Sequence, residues 1–222
     1  MKDAIELKLA TPEDAKLLHK LQVEAFLPLY EKYHDDDMSP AKELLEKVRG
    51  KIEEPDSEFY IIQFEGNDIG GIRVRHYQNG AKVENVNWIS PIFVIPEFQN
   101  RGIAQRAIQK VFELYPETLT WKLDTIKQEV GNCHLYEKCG FVRSGTEEVI
   151  NEQMTLVEYE KKLCNHPPFQ GIRRRKREPF SPKKHVRGKQ QRLWSGSNNE
   201  TSRAIQCRKD FTDCQLCTYV CV

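Results

Sequence analysis

Hydrophobic and polar residues alternate near the start of the chain and then recur at helical spacing. The alternating run from Ile5 to Leu9 predicts a half-buried strand. The pair Thr11–Pro12 then supplies a helix N-cap and a first-turn proline, and an apolar stripe follows. The pair Ser39–Pro40 repeats this start signal and predicts a second, shorter helix that ends at Gly50. The stripe of the first helix consists of Leu17, Leu18, Leu21, Ala25 and Phe26.

Strand-length apolar runs separated by turn residues follow these helices. The runs from Phe59 to Phe64 and from Ile69 to His76 flank the hairpin turn Gly66–Asn67. A second turn at Asn79–Gly80 leads to a long strand from Val83 to Val94. The remaining predicted elements are a helix with Ile103, Ala107, Ile108, Val111 and Phe112 on one side, a strand from Thr118 to Leu123, a helix from Asn132 to Cys139, a strand that begins after Phe141, and a last strand from Met154 to Lys161.

A change in charge balance divides the chain near residue 164. Residues 165–222 hold 13 of the 34 Lys and Arg residues but 4 of the 33 Asp and Glu residues, so this tail is basic and residues 1–164 are acidic. The tail is also punctuated by proline and poor in apolar residues, a composition typical of disorder. We therefore expect one compact domain in residues 1–164 and a basic, cysteine-containing, disordered tail in residues 165–222 without a role in the chemistry.

The junction between the long strand and the next helix has the features of an anion-binding site. A strand that turns through Gly102 into a helix leaves the first helical N–H groups unpaired and pointing outward. Gly102 also allows the backbone to approach a ligand closely, while Gln99 and Arg101 flank the turn with further donors. These features predict a cradle for a pyrophosphate.

Two motifs make this prediction more specific. Residues 99–104, Gln-Asn-Arg-Gly-Ile-Ala, resemble the acetyl-CoA motif of the GNAT superfamily of N-acetyltransferases. Residues 132–141, Asn-Cys-His-Leu-Tyr-Glu-Lys-Cys-Gly-Phe, resemble its second signature, and the resemblance covers residues 4–162. It implies an α+β fold with a mixed, mostly antiparallel sheet flanked by helices. It also implies an enzyme that moves an acetyl group from acetyl-CoA to a primary amine by direct attack in a ternary complex.

The resemblance also assigns residues to the cofactor. In the family, the strand before the cradle splays from its neighbour, and its backbone N–H groups bind the pantetheine arm and the thioester oxygen. Pro91 and Pro96 agree with this expectation, because proline cannot donate to a ladder. The expected acetyl-CoA-binding residues are Ile92, Val94, Gln99, Asn100, Arg101, Gly102, Ile103, Ala104, Asn132 and Tyr136.

Tyr136 is the predicted general acid. It lies one helical turn after Asn132, so the asparagine can hold the cofactor arm while the phenol approaches the sulfur. A phenol is protonated at neutral pH and can donate to the leaving thiolate. The alternative is a tyrosine that packs on the sheet with its hydroxyl at the surface.

The general base is less well marked. The strand face before the cradle carries Trp88 and Ser90, neither of which is a base. Glu84 shares their strand parity but lies about 13 Å from Trp88 at ~3.3 Å per residue. Asp124 is a second candidate. The pattern therefore predicts a water relay that ends at Ser90, Glu84 or bulk solvent.

An acidic and aromatic segment, residues 26–37, is predicted to link the first two helices, and the resemblance implies that this link borders the acceptor side of the cleft. Tyr30, Glu31 and Tyr33 would bind a cationic amine there, such as a polyamine, an amino sugar, or a lysine or N-terminal amine. A solvated loop without a binding role is the alternative.

The remaining expectations concern partners and compartment. The tail allows an alternative function, a nucleic-acid-associated protein whose domain is an acetyl-CoA sensor or an inactive enzyme. The histidines do not cluster at ligand spacing, and the tail holds one C-x-x-C, Cys214 and Cys217, without the second matched pair that a zinc site requires, so we expect no metal. No apolar run reaches the length of a membrane span, so we expect a cytoplasmic protein, a monomer or homodimer, without membrane contact.

Overall fold

The computed structural model describes residues 4–79, 82–163 and 220–221, with residues 77–79, 82–84 and 220–221 described by their backbone. Short 3-10 turns precede α1, α2 and α3. The helices and strands are β1 (Ile5–Leu9), α1 (Ala15–Tyr33), α2 (Leu45–Glu53), β2 (Ser57–Phe64), β3 (Asn67–Asn79), β4 (Lys82–Val94), α3 (Ile103–Leu114), β5 (Thr120–Ile126), α4 (Val130–Lys138), β6 (Val142–Asn151), β7 (Met154–Lys162) and β8 (Val220–Cys221).

The strands form one sheet in the order β1-β2-β3-β4-β5-β7-β6, and β8 pairs with β4 outside this path. Every neighbouring pair in the path is antiparallel except β4 and β5, which are parallel. This arrangement confirms the predicted α+β class and the mixed, mostly antiparallel sheet.

The parallel pair separates soon after it forms. Backbone pairing joins residues 86–88 of β4 to residues 120–122 of β5 and does not continue toward the C-terminal ends of the two strands. β4 nevertheless continues to Val94 along β3, and β5 continues to Ile126 along β7. We call the space between residues 89–94 and residues 123–126 the V-shaped gap.

Helices cover both faces of the sheet. On one face α1 packs so closely that a Cβ on Gly71 would lie 2.7 Å from the Phe93 ring and 3.0 Å from a Leu18 methyl group. On the other face, Phe112 of α3 packs on Trp121, with ring centroids 5.2 Å apart. Burial of these aromatic and aliphatic side chains supplies the main stabilisation of the sheet and fixes the ends of β4 and β5 that face the gap.

Two predicted helix ends are wrong. α1 continues through Pro28 to Tyr33 instead of giving way to a link after Phe26. Phe26 and Tyr33 are both buried, and this packing outweighs the cost of an exposed proline in the helix. α2 likewise continues past Gly50 to Glu53, because glycine in a helix costs only about 1 kcal/mol. The turn at Asn79–Gly80 lies partly outside the described residues.

The entry to α1 has the predicted cap. The Thr11 backbone N–H donates to the Asp14 carboxylate at 3.0 Å, the Thr11 hydroxyl donates to it at 3.1 Å, and Lys8 Nζ donates to its other oxygen at 3.0 Å. The Thr11 N–H, together with Lys8, lowers the pKa of Asp14 below its ordinary value of 3.8. The ionised carboxylate therefore stabilises the start of the first helical layer.

We expect Asp14→Ala to lower the free energy of unfolding by about 1 kcal/mol at neutral pH. Because the folded state lowers the pKa of Asp14, the stabilisation is present above the ordinary aspartate pKa and is lost as pH falls through the folded value. Urea unfolding at several pH values measures this difference. Asp37→Ala, at an exposed loop aspartate, is the control and should change stability by less than about 0.5 kcal/mol. A pH-independent difference would contradict the prediction.

Candidate active site

The turn and helix start that were predicted to form the cradle lie at the end of β4. A 3-10 turn at Pro96–Phe98 leads to Gly102, the N-cap of α3, whose φ of 68° lies in the left-handed region that glycine favours. The first helical bond runs from the Arg106 N–H to the Gly102 carbonyl at 3.2 Å. The N–H groups of residues 103–105 therefore have no acceptor within the helix and are directed out of its N-terminus.

A cavity of about 300 Å³ lies between this cradle and α4. The cradle contributes backbone N–H groups and short side chains, and α4 contributes a basic and apolar face. An anionic ligand with an apolar arm fits such a lining. The lining residues are Val94, Phe98, Gln99, Asn100, Gly102, Ile103, Ala104 and Gln105 from the cradle side, and Gly131, His134, Leu135 and Lys138 from α4.

The cavity brings together six of the ten predicted cofactor residues. Gln99 does more than line it, because its Nε2 donates to the Val94 carbonyl at 2.8 Å and fixes the turn. Arg101 lies outside the lining, with its guanidinium 5.1 Å from the centroid of the Phe98 ring. The six that line the cavity are Val94, Gln99, Asn100, Gly102, Ile103 and Ala104, and the four that do not are Ile92, Arg101, Asn132 and Tyr136.

α4 presents a face to the cavity that the sequence analysis did not select. Gly131, His134, Leu135 and Lys138 follow one another at three- and four-residue steps or as direct neighbours, and the two basic residues among them are exposed. The same helical spacing that placed Asn132 beside Tyr136 would have identified this second face.

Asn132 and Tyr136 lie on a different, buried face of α4. The Tyr136 ring is fully buried, 6.1 Å from the Phe141 ring and 6.0 Å from the Tyr159 ring between centroids. The predicted alternative of a hydroxyl at the protein surface therefore does not hold. The two residues do share one helix face, as predicted.

Of the candidate base residues, Ser90 and Glu84 lie on β4 and Asp124 lies on β5. Ser90 is buried near the start of the β4 segment that no longer pairs with β5. At this point β4 carries one extra residue relative to β3. Glu84 belongs to the same strand, but its side chain lies outside the described residues. Lys122 lies opposite Trp88 at the last paired position, with its Nζ 5.4 Å from the indole centroid and 3.1 Å from Glu158.

The residues predicted to bind the acceptor amine, Tyr30, Glu31 and Tyr33, lie in the last turn of α1. The Tyr33 hydroxyl donates to Glu129 Oε1 at 2.5 Å, and Lys32 Nζ donates to the same oxygen at 2.6 Å. Burial opposes ionisation of Glu129, but these two donors outweigh it and lower its pKa. Tyr30 donates to Asp36 at 2.8 Å, and Glu31 is exposed.

The acidic segment is only partly available to an acceptor. Asp35 is buried and accepts hydrogen bonds from the backbone N–H groups of Asp37 and Met38, at 3.3 and 3.1 Å. One member of the aspartate triplet therefore shapes the loop. Glu129, which the sequence analysis did not select, joins the acidic cluster from the start of α4 because the fold brings it to the end of α1.

Neither a metal site nor a membrane span is found in the part of the chain that the structure describes. No set of three His, Cys, Asp or Glu side chains in residues 4–79 and 82–163 is grouped closely enough to hold a metal ion. Among the described helices, none combines the length and the apolar character that a membrane span requires. The basic tail, on which the alternative nucleic-acid function depends, lies outside the described residues apart from β8.

Solved structures with the same fold include several acetyltransferases. An acetyltransferase from Thermus thermophilus is 18% identical, with a TM-score of 0.55 over 72% of this chain and 97% of its own. The PaiA N-acetyltransferase of Thermoplasma acidophilum, solved in complex with coenzyme A, is 18% identical, with a TM-score of 0.55 over 72% of this chain and 99% of its own.

A third similar structure is a chimera of the Vibrio cholerae spermidine N-acetyltransferase SpeG and hSSAT. It is 18% identical, with a TM-score of 0.57 over 71% of this chain and 95% of its own. A search of curated protein sequences found no match. The model of the acetyltransferase (GNAT) family matches residues 16–141, which is more than half of the chain. The protein therefore belongs to the GNAT family of acetyltransferases, as its two motifs predicted, and its acetyl donor is acetyl-CoA.

Proposed function

We propose that this protein transfers the acetyl group of acetyl-CoA to a small or protein-borne primary amine by direct attack in a ternary complex. The observation that carries the proposal is the end of the β4–β5 pairing at Trp88 and Lys122, which leaves one edge of β4 facing the V-shaped gap. The cradle and its cavity follow at the end of the same strand. An anion site beside an open strand edge suits a coenzyme with a diphosphate and an amide-bearing arm.

The cradle would hold the diphosphate. The N–H groups of residues 103–105 and the positive end of the α3 dipole favour an anion at this position. Lys138 would add an ammonium group from α4, and His134 a ring N–H. Because these groups come from two helices, they also fix the ligand between α3 and α4.

The gap would hold the reacting groups. Bound acetyl-CoA supplies a thioester carbonyl that the amine attacks, with cleavage of the carbon–sulfur bond. Backbone N–H groups at Ile92 and Val94 would bind the arm and polarise that carbonyl. Tyr136 would protonate the departing thiolate, and a water relay through Ser90 toward Glu84 would remove the amine proton.

The end of α1 would select the acceptor. Glu129 already binds the ammonium group of Lys32 and the hydroxyl of Tyr33, so its environment is suited to a cation. Tyr30, with Asp36, extends this acidic and aromatic surface. We therefore propose a cationic primary amine as the acceptor, which would compete with Lys32 for the Glu129 carboxylate.

A thiol-release assay with a panel of amines tests this function. The full chain should release free coenzyme A with cationic primary amines and release much less with neutral or tertiary amines. Turnover with no member of the panel, at acetyl-CoA concentrations that saturate binding, would contradict the proposal. Binding of nucleic acid by the full chain with steep salt dependence, together with no turnover, would instead support the alternative function.

Glu129→Gln is expected to raise the KM for a cationic amine substrate about tenfold with little change in the KM for acetyl-CoA. The neutral amide can no longer form an ion pair with the ammonium group of the substrate. Steady-state kinetics with both substrates varied measures the two constants. Glu160→Gln is the matched control, since Glu160 also pairs with a lysine, Lys162, at 2.9 Å. Equal changes in the two variants would contradict a role for Glu129 in the acceptor site.

A further inference from the structure

The short strand β8 lies at the open edge of β4. It pairs with β4 in parallel, with Val220 opposite Ile92 and Cys221 opposite Phe93. Both positions lie beyond Trp88, where β5 has already separated from β4. β8 also lies close to β5 and α1. The main chain at residues 220–221 therefore enters the V-shaped gap and takes the edge that β5 leaves.

An open strand edge binds extended chains through main-chain hydrogen bonds, largely independent of side-chain identity. The pantetheine arm of coenzyme A has two amide groups along an extended chain, so its hydrogen-bonding groups resemble those of a short peptide. β8 and the arm therefore require the same backbone groups of β4, those of Ile92 and Val94, because the alternate residues Phe93 and Ile95 face β3. The two cannot pair with this edge at the same time.

We propose that residues 220–221 of this chain compete with acetyl-CoA for the open edge of β4, so that the chain itself limits access of the coenzyme. The inference rests on the proposed position of the coenzyme arm in the V-shaped gap. In the free protein, β8 would occupy the gap. In the protein loaded with acetyl-CoA, β8 would be displaced while the cradle at Gly102 binds the diphosphate.

The size of β8 suits reversible competition. It pairs over two residues, and each main-chain hydrogen bond contributes only about 0.5–1.5 kcal/mol net. Among the described strands it pairs with β4 alone, so its release breaks no other ladder. A cradle that binds two phosphates can therefore outcompete it, at a cost in apparent affinity.

The test compares Cys221→Pro with Cys221→Ala in the full chain, because in this parallel pair the N–H of Cys221 is the one directed at the carbonyl of Ile92. Proline removes the backbone N–H and disfavours strand pairing, whereas alanine keeps the backbone groups. By isothermal titration calorimetry, Cys221→Pro should bind acetyl-CoA about three- to tenfold more tightly than the wild type, the factor expected from one or two lost main-chain bonds. Cys221→Ala should bind like the wild type. Equal dissociation constants in all three proteins would overturn the proposal.

Amide hydrogen exchange supplies a second readout that does not depend on activity. In the absence of coenzyme, the amides of Ile92 and Val94 should exchange faster in Cys221→Pro than in Cys221→Ala. Faster exchange with unchanged affinity would also overturn the proposal, since β8 would then occupy a place the coenzyme does not use. Addition of acetyl-CoA to Cys221→Pro should slow the exchange of the Ile92 and Val94 amides, and failure to do so would refute the proposed position of the coenzyme itself.

Discussion

Gly102→Glu is expected to weaken acetyl-CoA binding about a hundredfold, because a carboxylate at this position would repel the diphosphate and neutralise the α3 N-terminus. Gly102 lines the cavity, and a Cβ built there meets no atom within 4 Å, so the new side chain has room to enter the site. Its φ of 68° adds a backbone cost of about 1–2 kcal/mol for any other residue, which acts on stability. Calorimetric titration with acetyl-CoA measures the affinity.

Gly145→Glu separates charge at the cradle from backbone strain. Gly145 also has a positive φ, 94°, and a Cβ there also meets no atom within 4 Å, but it belongs to β6 and does not line the cavity. The variant should therefore lose stability like Gly102→Glu and keep its affinity for acetyl-CoA. Comparable loss of affinity in both variants would show that strain, and not an anion site at Gly102, explains the effect.

Tyr136→Phe is expected to lower kcat about a hundredfold, with less than a threefold change in the dissociation constant of acetyl-CoA, since a positioned general acid contributes about 10²–10⁴-fold. The substitution removes one oxygen and preserves the ring that packs on Phe141 and Tyr159. The affinity should therefore change little while the leaving thiolate loses its proton donor. Pre-steady-state measurement of thiol release separates this chemical step from product release.

Tyr159→Phe is the matched control for Tyr136→Phe. Its ring is also fully buried, and its hydroxyl accepts from Arg143 Nε at 3.0 Å and donates to Glu137 at 3.1 Å. Loss of these bonds should lower stability by about 1 kcal/mol and leave kcat within about twofold. An unchanged kcat in Tyr136→Phe, or an equal decrease in both variants, would remove Tyr136 from the role of general acid.

Features set by short-range patterns could be predicted from the sequence. The turn through Gly102 and the apolar stripe of α3 lie within a few residues of each other, so spacing alone indicates a strand, a cradle and a helix. The Thr11 cap is local in the same sense. Each depends on backbone groups and side chains that are neighbours along the chain.

Features set by tertiary contacts could not be predicted in this way. α1 passes through Pro28 because Tyr33 is buried and bonded to Glu129, which lies 96 residues further along the chain. The choice of which α4 face meets the cavity depends on the packing of Tyr136 against β7, and the pairing of β8 with β4 joins residues more than a hundred positions apart. Local propensity carries no information about any of these contacts.

The short β4–β5 pairing divides the sheet into two leaves. One leaf contains β1 to β4 and the other contains β5, β7 and β6, and three residue pairs, 86–88 with 120–122, form the backbone seam between them. A molecule in the V-shaped gap would contact residues 89–94 of one leaf and residues 123–126 of the other. Whichever chain occupies the gap, β8 in the free protein or acetyl-CoA in the proposed complex, would therefore add contacts that hold the two leaves together.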